Sequence, residues 1–377
     1  MQNRYRTIVV GLGAMGSAAL YHLSKRGGRT LGIDQFDVPN DMGSSHGLTR
    51  IIRLAYHEHP SYVPLLVRAF ELWRNLEQEV KEHLLIQTGS VDAGAPGSSV
   101  FEGSLRSCHI HNLRHEVLTS AQLHARFPGY KLPADMMAVL QPDGGYLRPE
   151  ACISAHVAMA KARGAEIHTR EKMISWEPWE GGVRIFTDHG IYYADRLICS
   201  AGAWMSKVVN SLHDIAIPER QVVVWFQPRR PEYFTDKNFP VFNLIGQEGN
   251  YYGFPIAESA SFKVGRYHHR NEIADPDQMS RECYPEDESL LRDFVQRYFP
   301  DAAGPAFHMQ CCLFTNTPDG HFILDVHPEW PQVIVASPCS GHGFKFSSVI
   351  GEILADLAES GETAHDISMH RLNRFRP

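Results

Sequence analysis

No stretch of about 18 uninterrupted apolar residues occurs in the chain, which argues against a transmembrane helix. The segment from Met1 to Thr7 is polar and leads straight into a short apolar run. A secretory signal needs a longer apolar run and a small-residue cleavage site, so the expected location is the cytoplasm. Cysteine is sparse and unpatterned: seven residues, at positions 108, 152, 199, 283, 311, 312 and 339, with no CxxC spacing. That excludes a disulfide scaffold and gives no zinc site. The 21 histidines include no HExxH or comparable ligand spacing, so no metal is expected. Basic charge is in deficit, 36 Lys and Arg against 43 Asp and Glu, a formal net charge of −7. A mildly acidic chain argues against nucleic acid as a partner, although the local pair Arg50 and Arg53 is suited to a small anion. No period of about 20–50 residues recurs, which excludes a solenoid.

What is present is ordinary for a globular enzyme: 43% hydrophobic and 21% charged residues in 377 positions, enough for two domains. The β-branched run Thr7 to Val10 predicts a buried parallel strand, Ser17 to Arg26 a helix stopped by Gly27-Gly28, and Thr30 to Ile33 a second strand. Helices are expected over 62–79, 151–163, 288–298 and 346–359, with strands near 87–94, 166–169, 190–203 and 333–336. The aromatic and β-branched stretch 220–267 predicts antiparallel sheet, and 142–149 is turn-rich. βαβ-type units at the beginning, middle and end, with β-rich segments between, predict a discontinuous nucleotide-binding domain with an inserted substrate domain.

The sequence Gly11-Leu12-Gly13-Ala14-Met15-Gly16 follows the first strand and opens the first helix, and Asp34 stands 18 residues after its last glycine. This is the context a dinucleotide fingerprint requires. Gly11 permits the tight turn, Gly13 lets the backbone approach the pyrophosphate, and Gly16 lets helix and strand pack closely. The helix N-terminus, around Ala14 and Met15, presents unpaired N–H groups to the phosphates, and Asp34 accepts a hydrogen bond from a ribose hydroxyl. The fingerprint does not distinguish FAD from NAD.

Five further segments run across the chain: Gly43-Ser44-Ser45-His46-Gly47-Leu48-Thr49-Arg50-Ile51-Ile52-Arg53, Tyr251-Tyr252-Gly253-Phe254-Pro255, Pro285-Glu286-Asp287-Glu288, Cys312-Leu313-Phe314-Thr315 and Ser340-Gly341-His342-Gly343-Phe344-Lys345-Phe346. Together with the length, they resemble the monomeric sarcosine oxidase and N-methyl-L-tryptophan oxidase group of flavin amine oxidases. The resemblance implies an α/β (α+β) fold, a Rossmann-type FAD-binding domain joined to a discontinuous substrate domain on a mixed β-sheet. The corresponding division assigns 1–85, 145–215 and 305–377 to FAD binding and 86–144 and 216–304 to substrate. The implied reaction is oxidation of the C–N bond of a secondary amino acid such as sarcosine. The imine then hydrolyses, with release of formaldehyde, and O₂ reoxidises the flavin to give hydrogen peroxide. The implied protein is a monomer with a small amino acid and O₂ as its only partners.

Residue by residue, Cys312 matches the cysteine that carries FAD covalently through a thioether, and Cys311 alternates to the other face of its strand. Arg53 and Lys345 match the pair that holds the substrate carboxylate. Lys263 matches the lysine that activates O₂ by stabilising developing negative charge; read from sequence alone it is a solvated strand lysine. Arg50 and His46 are expected close to the flavin as catalytic residues, Ser44 and Thr49 as cofactor contacts, and Tyr252 and Tyr267 as substrate contacts. Gly341, His342 and Gly343 bring backbone N–H groups to the flavin carbonyl end, beside Lys345.

The chain departs from the pattern in the expected pocket. Phe314 lacks the tyrosine hydroxyl of the group, a cavity histidine is replaced by Tyr267 or shifted to His268, and Cys339 stands where a bulkier residue is common. These changes leave room for a larger or cyclic secondary amino acid of the N-methyl-L-tryptophan, pipecolate or proline type. An FAD dehydrogenase that passes electrons to a partner is the competing class; Lys263 speaks for the oxidase. A NAD-dependent dehydrogenase would have no use for the C-terminal flavin elements.

Overall fold

The computed structural model describes residues 3–375. Its first sheet is built around strand Arg4–Val10, which pairs in parallel with Thr30–Ile33 on one side and Ile191–Cys199 on the other. Glu166–His168 extends the first edge in parallel. On the far edge, Ile191–Cys199 is shared by two neighbours: its first half pairs antiparallel with Gly182–Thr187, and its last residues pair in parallel with Val333–Ser337. The helices Ala14–Arg26, Pro149–Ala162 and Ser347–Ser360 pack against this sheet through one apolar core with Val63–Val80. All four residues of Thr30–Ile33 are buried, as a strand covered on both faces requires.

The second sheet has eight strands, in the order Ala306–Asn316, Ile217–Phe226, Phe262–Arg266, Gly249–Phe254, Val241–Gly246, Ser90–Gly94, Met137–Gln141 and Glu116–Thr119. Every pair is antiparallel except Val241–Gly246 with Ser90–Gly94, so the sheet is mixed. One face packs on helix Pro285–Tyr298 through a core rich in phenylalanine, including Phe226, Phe242, Phe262 and Phe294. Side chains alternate along a strand, so residues opposite one another across the ladder share a face. One such row runs Gln310, Val223, Gly265, Tyr252, Asn243, Asp92. A second runs His308, Trp225, Lys263, Phe254.

The elements differ from expectation in four places. The first helix begins at Ala14 and not at Ser17, because the glycine turn leads directly into it. Helix Pro285–Tyr298 starts three residues early, with Pro285 at its first position and the Asp287 carboxylate accepting the Tyr284 N–H at 2.9 Å. The turn-rich stretch 142–149 contains a strand, Gly145–Leu147, which joins Arg50–Ile52 and Leu85–Gln87 in a small third sheet. Strand Ala306–Asn316 lies in the second sheet, hydrogen-bonded along its length to Ile217–Phe226, whereas the expected division put 305–377 with the nucleotide-binding part.

Candidate active site

A cavity of about 450 Å³, lined from both sheets, holds most of the expected residues. That volume lies within the range of roughly 300–1,000 Å³ usual for ligand sites. Its lining includes Phe36, Lys172 and Lys207, the glycine loop and residues 43–46, and Tyr252, Tyr267, Lys263, Cys312 and Lys345.

The glycine loop shows which of its positions serve the protein and which serve a ligand. A Cβ on Gly16 would lie 1.8 Å from Gly11 O, and Gly11 itself has φ +87°. Those two glycines are dictated by the turn and by helix–strand contact. Gly13 is different: a Cβ there would find only Ser45 Oγ at 3.9 Å, and the open space is the cavity. The helix that starts after Gly13 has no side-chain cap and no acid in its first turn. Its N–H groups and positive dipole end are therefore available to a pyrophosphate. Asp34 lines the cavity with each oxygen engaged by one backbone N–H, Oδ2 by Leu12 at 2.7 Å and Oδ1 by Phe36 at 2.9 Å. Each oxygen keeps a second lone pair for a ribose hydroxyl. The residues fit an elongated dinucleotide.

The 43–50 loop is fixed from below. Glu150 accepts the Gly47 N–H at 2.6 Å and the Leu48 N–H at 3.2 Å, and Arg50 donates to Ser44 O at 2.6 Å and Thr49 O at 2.8 Å. This places Arg50 Nη2 3.9 Å from Cys312 Sγ. Burial by itself raises the Cys312 thiol, but His46 and the Arg50 charge outweigh it and bring the thiol down to about 7. His46 is the foremost lowering influence on the thiol, ahead of the Arg50 charge, although neither of its ring nitrogens has a hydrogen bond of good geometry. Cys311, on the opposite face, is pushed up by burial to about 11.

Lys263 is 2% exposed and donates to Gly47 O at 2.7 Å and to Thr49 O and Oγ1, each at 3.1 Å. Its ammonium also stands over the rings of Phe254, 4.6 Å from the centroid, and Trp225, 5.2 Å. Burial, then the Arg50 charge, lowers its pKa well below that of an ordinary lysine. Lys345, also on the cavity wall, donates to His342 O at 2.7 Å, and burial lowers it to about 7. Tyr56 holds the His342 ring through Nδ1 at 2.6 Å. Tyr252, Tyr267 and Phe314 form the aromatic wall, with Tyr267 5.2 Å from Tyr252 and 6.0 Å from Phe314 between ring centroids. The choice between Tyr267 and His268 is resolved by geometry: His268 pairs with Glu219 at 2.9 Å, away from the cavity.

Three expected contacts are not on the cavity wall. Gly16 is a packing position, and Thr49 serves Lys263. Arg53 is the larger difference. It is 1% exposed, and Nη2 donates to both Glu58 oxygens at 2.9 Å while Nη1 donates to Ala55 O at 2.7 Å. Asp92 lies beside it, with Arg53 Nε 3.8 Å from Oδ1. A buried guanidinium requires such counter-charges. Glu58, Asp92, Asn243, Gln310 and Glu150 are among the polar residues of this region that sequence reading did not find. No motif marks them, and only loop geometry and strand register bring them in. Among the described residues no cluster of metal-ligating side chains occurs, and no described helix is long and apolar enough to cross a membrane.

The profile of the FAD dependent oxidoreductase family matches residues 6–357. Over 99% of this chain and 98% of its own length, a monomeric sarcosine oxidase of Bacillus sp. (strain NS-129) is 43% identical. An N-methyl-L-tryptophan oxidase of Yersinia pestis (strain Pestoides F) is 33% identical over 99% of this chain and its full length. Among solved structures, L-proline dehydrogenase from P. horikoshii superposes with a TM-score of 0.86 at 18% identity, covering 99% of this chain and 98% of that one, which shows a common fold. The choice that the fingerprint left open between FAD and NAD is thereby made in favour of FAD. The chain belongs to the FAD-dependent oxidoreductase family, within the group that contains the monomeric sarcosine oxidases and the N-methyl-L-tryptophan oxidases.

Proposed function

We propose that this protein is an FAD-dependent oxidase of N-methyl amino acids, yielding formaldehyde, the demethylated amino acid and hydrogen peroxide. The observation that carries this reading is the convergence of Lys263, Arg50, Cys312 and Lys345, from four distant segments, on one cavity behind the glycine loop. Bound FAD supplies the two-electron oxidation of the substrate C–N bond and returns the electrons to O₂. The residues do the rest. Lys345 offers the substrate carboxylate a cation, and Arg53 stands behind it as a second. Tyr252, Tyr267 and Phe314 exclude water and present ring faces to the amine. The amine of Lys263, buried and donating to three oxygens, is placed to stabilise the negative charge that reduction of O₂ creates. The lowered Cys312 thiol is the attachment point for the flavin, since the thiolate is the nucleophilic form.

A second reading within the same chemistry is a larger or cyclic secondary amino acid. The absence of a hydroxyl at Phe314, and Tyr267 on the wall, favour it by making this end of the cavity more apolar. A panel of sarcosine, N-methyl-L-tryptophan, pipecolate and proline, assayed by peroxide release from the aerobic holoenzyme, orders these substrates by kcat/KM. Formaldehyde accompanies peroxide for the N-methyl compounds alone. Oxidation of none of the four would overturn the reading.

A further inference from the structure

The row that carries Tyr252 on the cavity wall continues along the same face of the second sheet to Asn243 and Asp92, and there becomes a buried polar cluster. Asn243 Nδ2 donates to Asp92 Oδ1 at 2.9 Å. Asp92 is 0% exposed, yet its Oδ2 has no partner, and neither has Arg53 Nε, 3.8 Å from Oδ1. The 53–58 segment contributes Arg53, Glu58 and His57, whose Nδ1 is 3.9 Å from Asp92 Oδ1. Helix Ser99–Ile110 closes the cluster from the other side with Ser104 and Cys108, the latter pushed up to about 12 by burial and then by the Asp92 charge. Tyr130 and Tyr267 also feel that charge.

Two cations, Arg53 and Lys345, face two carboxylates, Glu58 and Asp92. The cluster is charge-matched before any substrate arrives. A substrate carboxylate adds a third anion, and an uncompensated charge in a buried site is costly. One carboxylate must then be neutralised. Glu58 is unsuited, because both its oxygens receive Arg53 Nη2 and that charge, outweighing burial, holds its pKa low. His57 is kept neutral by burial, at about 3. Asp92 has an oxygen free to carry a proton. Burial, against the pull of Arg53 and Asn243, already brings it up to about 6.

We propose that Asp92 is a positioning residue of the carboxylate site: it is the counter-charge of the Arg53–Lys345 pair in the free enzyme and takes up one proton from solvent when a substrate carboxylate enters. This rests on the reading of Lys345 and Arg53 as carboxylate-binding cations. One anion and one proton enter together, no electron moves, and the charge of the cluster is unchanged.

The test uses the holoenzyme with acetate as the probe, followed by the flavin absorbance change, by competition with the amino acid substrate, and by calorimetry in two buffers of different ionisation heat. Proton uptake by the wild type should rise from about one half per acetate near pH 6 to close to one near pH 7, with affinity falling up to about tenfold per pH unit at the upper end. In Asp92→Asn the uptake should fall to the fraction that Lys345, lowered to about 7, takes up itself, which is small near pH 6. In Lys345→Gln binding should weaken and the uptake should persist but move to higher pH, because Asp92 then faces one cation fewer, which separates Asp92 from the Lys345 amine. A merely structural Asp92 would change affinity and leave the proton stoichiometry alone. Binding without uptake in the wild type overturns the proposal even if Asp92→Asn does not fold, as does undiminished uptake in a folded Asp92→Asn. If acetate neither perturbs the flavin nor competes with substrate, the carboxylate site itself is wrong and the proposal falls with it.

Discussion

Arg50 Nη2 lies 3.9 Å from the sulfur of Cys312, whereas the adjacent Cys311 faces the other side of the same strand, toward Arg220. One step along a strand reverses the side chain, so neighbouring thiols meet different surroundings. Cys312 is brought down to about 7 and Cys311 pushed up to about 11. Cys312→Ser should therefore release all flavin when the protein is precipitated with acid, and Cys311→Ser should keep it in the pellet. Flavin retained by Cys312→Ser contradicts the assignment.

The glycine loop separates fold from cofactor in the same way. Gly13 has φ −67°, open to any residue, and only cavity beside it. Gly13→Val should fold with an unchanged far-UV spectrum but bind FAD much more weakly. Gly16→Ala places a methyl 1.8 Å from Gly11 O and should destabilise the protein itself by roughly 1–3 kcal/mol or more. Chemical denaturation and flavin titration of the two variants distinguish the effects.

Local features were legible in the sequence. The glycine turn, the helix after it and Asp34 lie within one unit, and their spacing alone states their geometry. The cluster around Asp92 was not legible. Val91 and Ala93 alternate with Ser90 and Asp92, a pattern that reads as a half-exposed strand with its polar side in water. All five residues of Ser90–Gly94 are in fact buried, since helix Ser99–Ile110 covers the polar face. Strand Ala306–Asn316 hydrogen-bonds to a strand some 90 residues earlier, a choice no local pattern encodes.

Arg53 and Lys345 should respond differently to truncation. Lys345→Met removes a charged contact at the cavity wall and should raise KM about 10- to 150-fold, the equivalent of roughly 1.5–3 kcal/mol. Arg53→Ala also strands Glu58 and Asp92 without their cation, so it should lower global stability by about 3–5 kcal/mol as well as raise KM. Arg53→Lys should recover part of both losses. Steady-state kinetics alongside thermal denaturation separate the two variants.

His22, on the first helix, is buried against the last helix, with Nε2 3.1 Å from Ser348 O. Burial lowers it from 6.5 to about 4, so between those values the unfolded chain binds a proton that the folded chain does not. Stability should then rise with pH across that window, and the His22 share, of the order of 3 kcal/mol, is fully lost only below about pH 4. His22→Gln should flatten the dependence of denaturation midpoint on pH between 4 and 6.5.

The central claim is that this cavity is built for reaction with O₂, and Lys263 is the group on which it turns. The charge is needed when O₂ accepts electrons, not when substrate gives them up. The decisive measurement is therefore the two half-reactions of Lys263→Met, followed separately by stopped-flow absorbance of the flavin. Reoxidation of the reduced variant by O₂ should be slower by orders of magnitude, while anaerobic reduction by the N-methyl amino acid changes little. Equal slowing of both half-reactions, or unimpaired reoxidation, would contradict the assignment of this site as an oxidase.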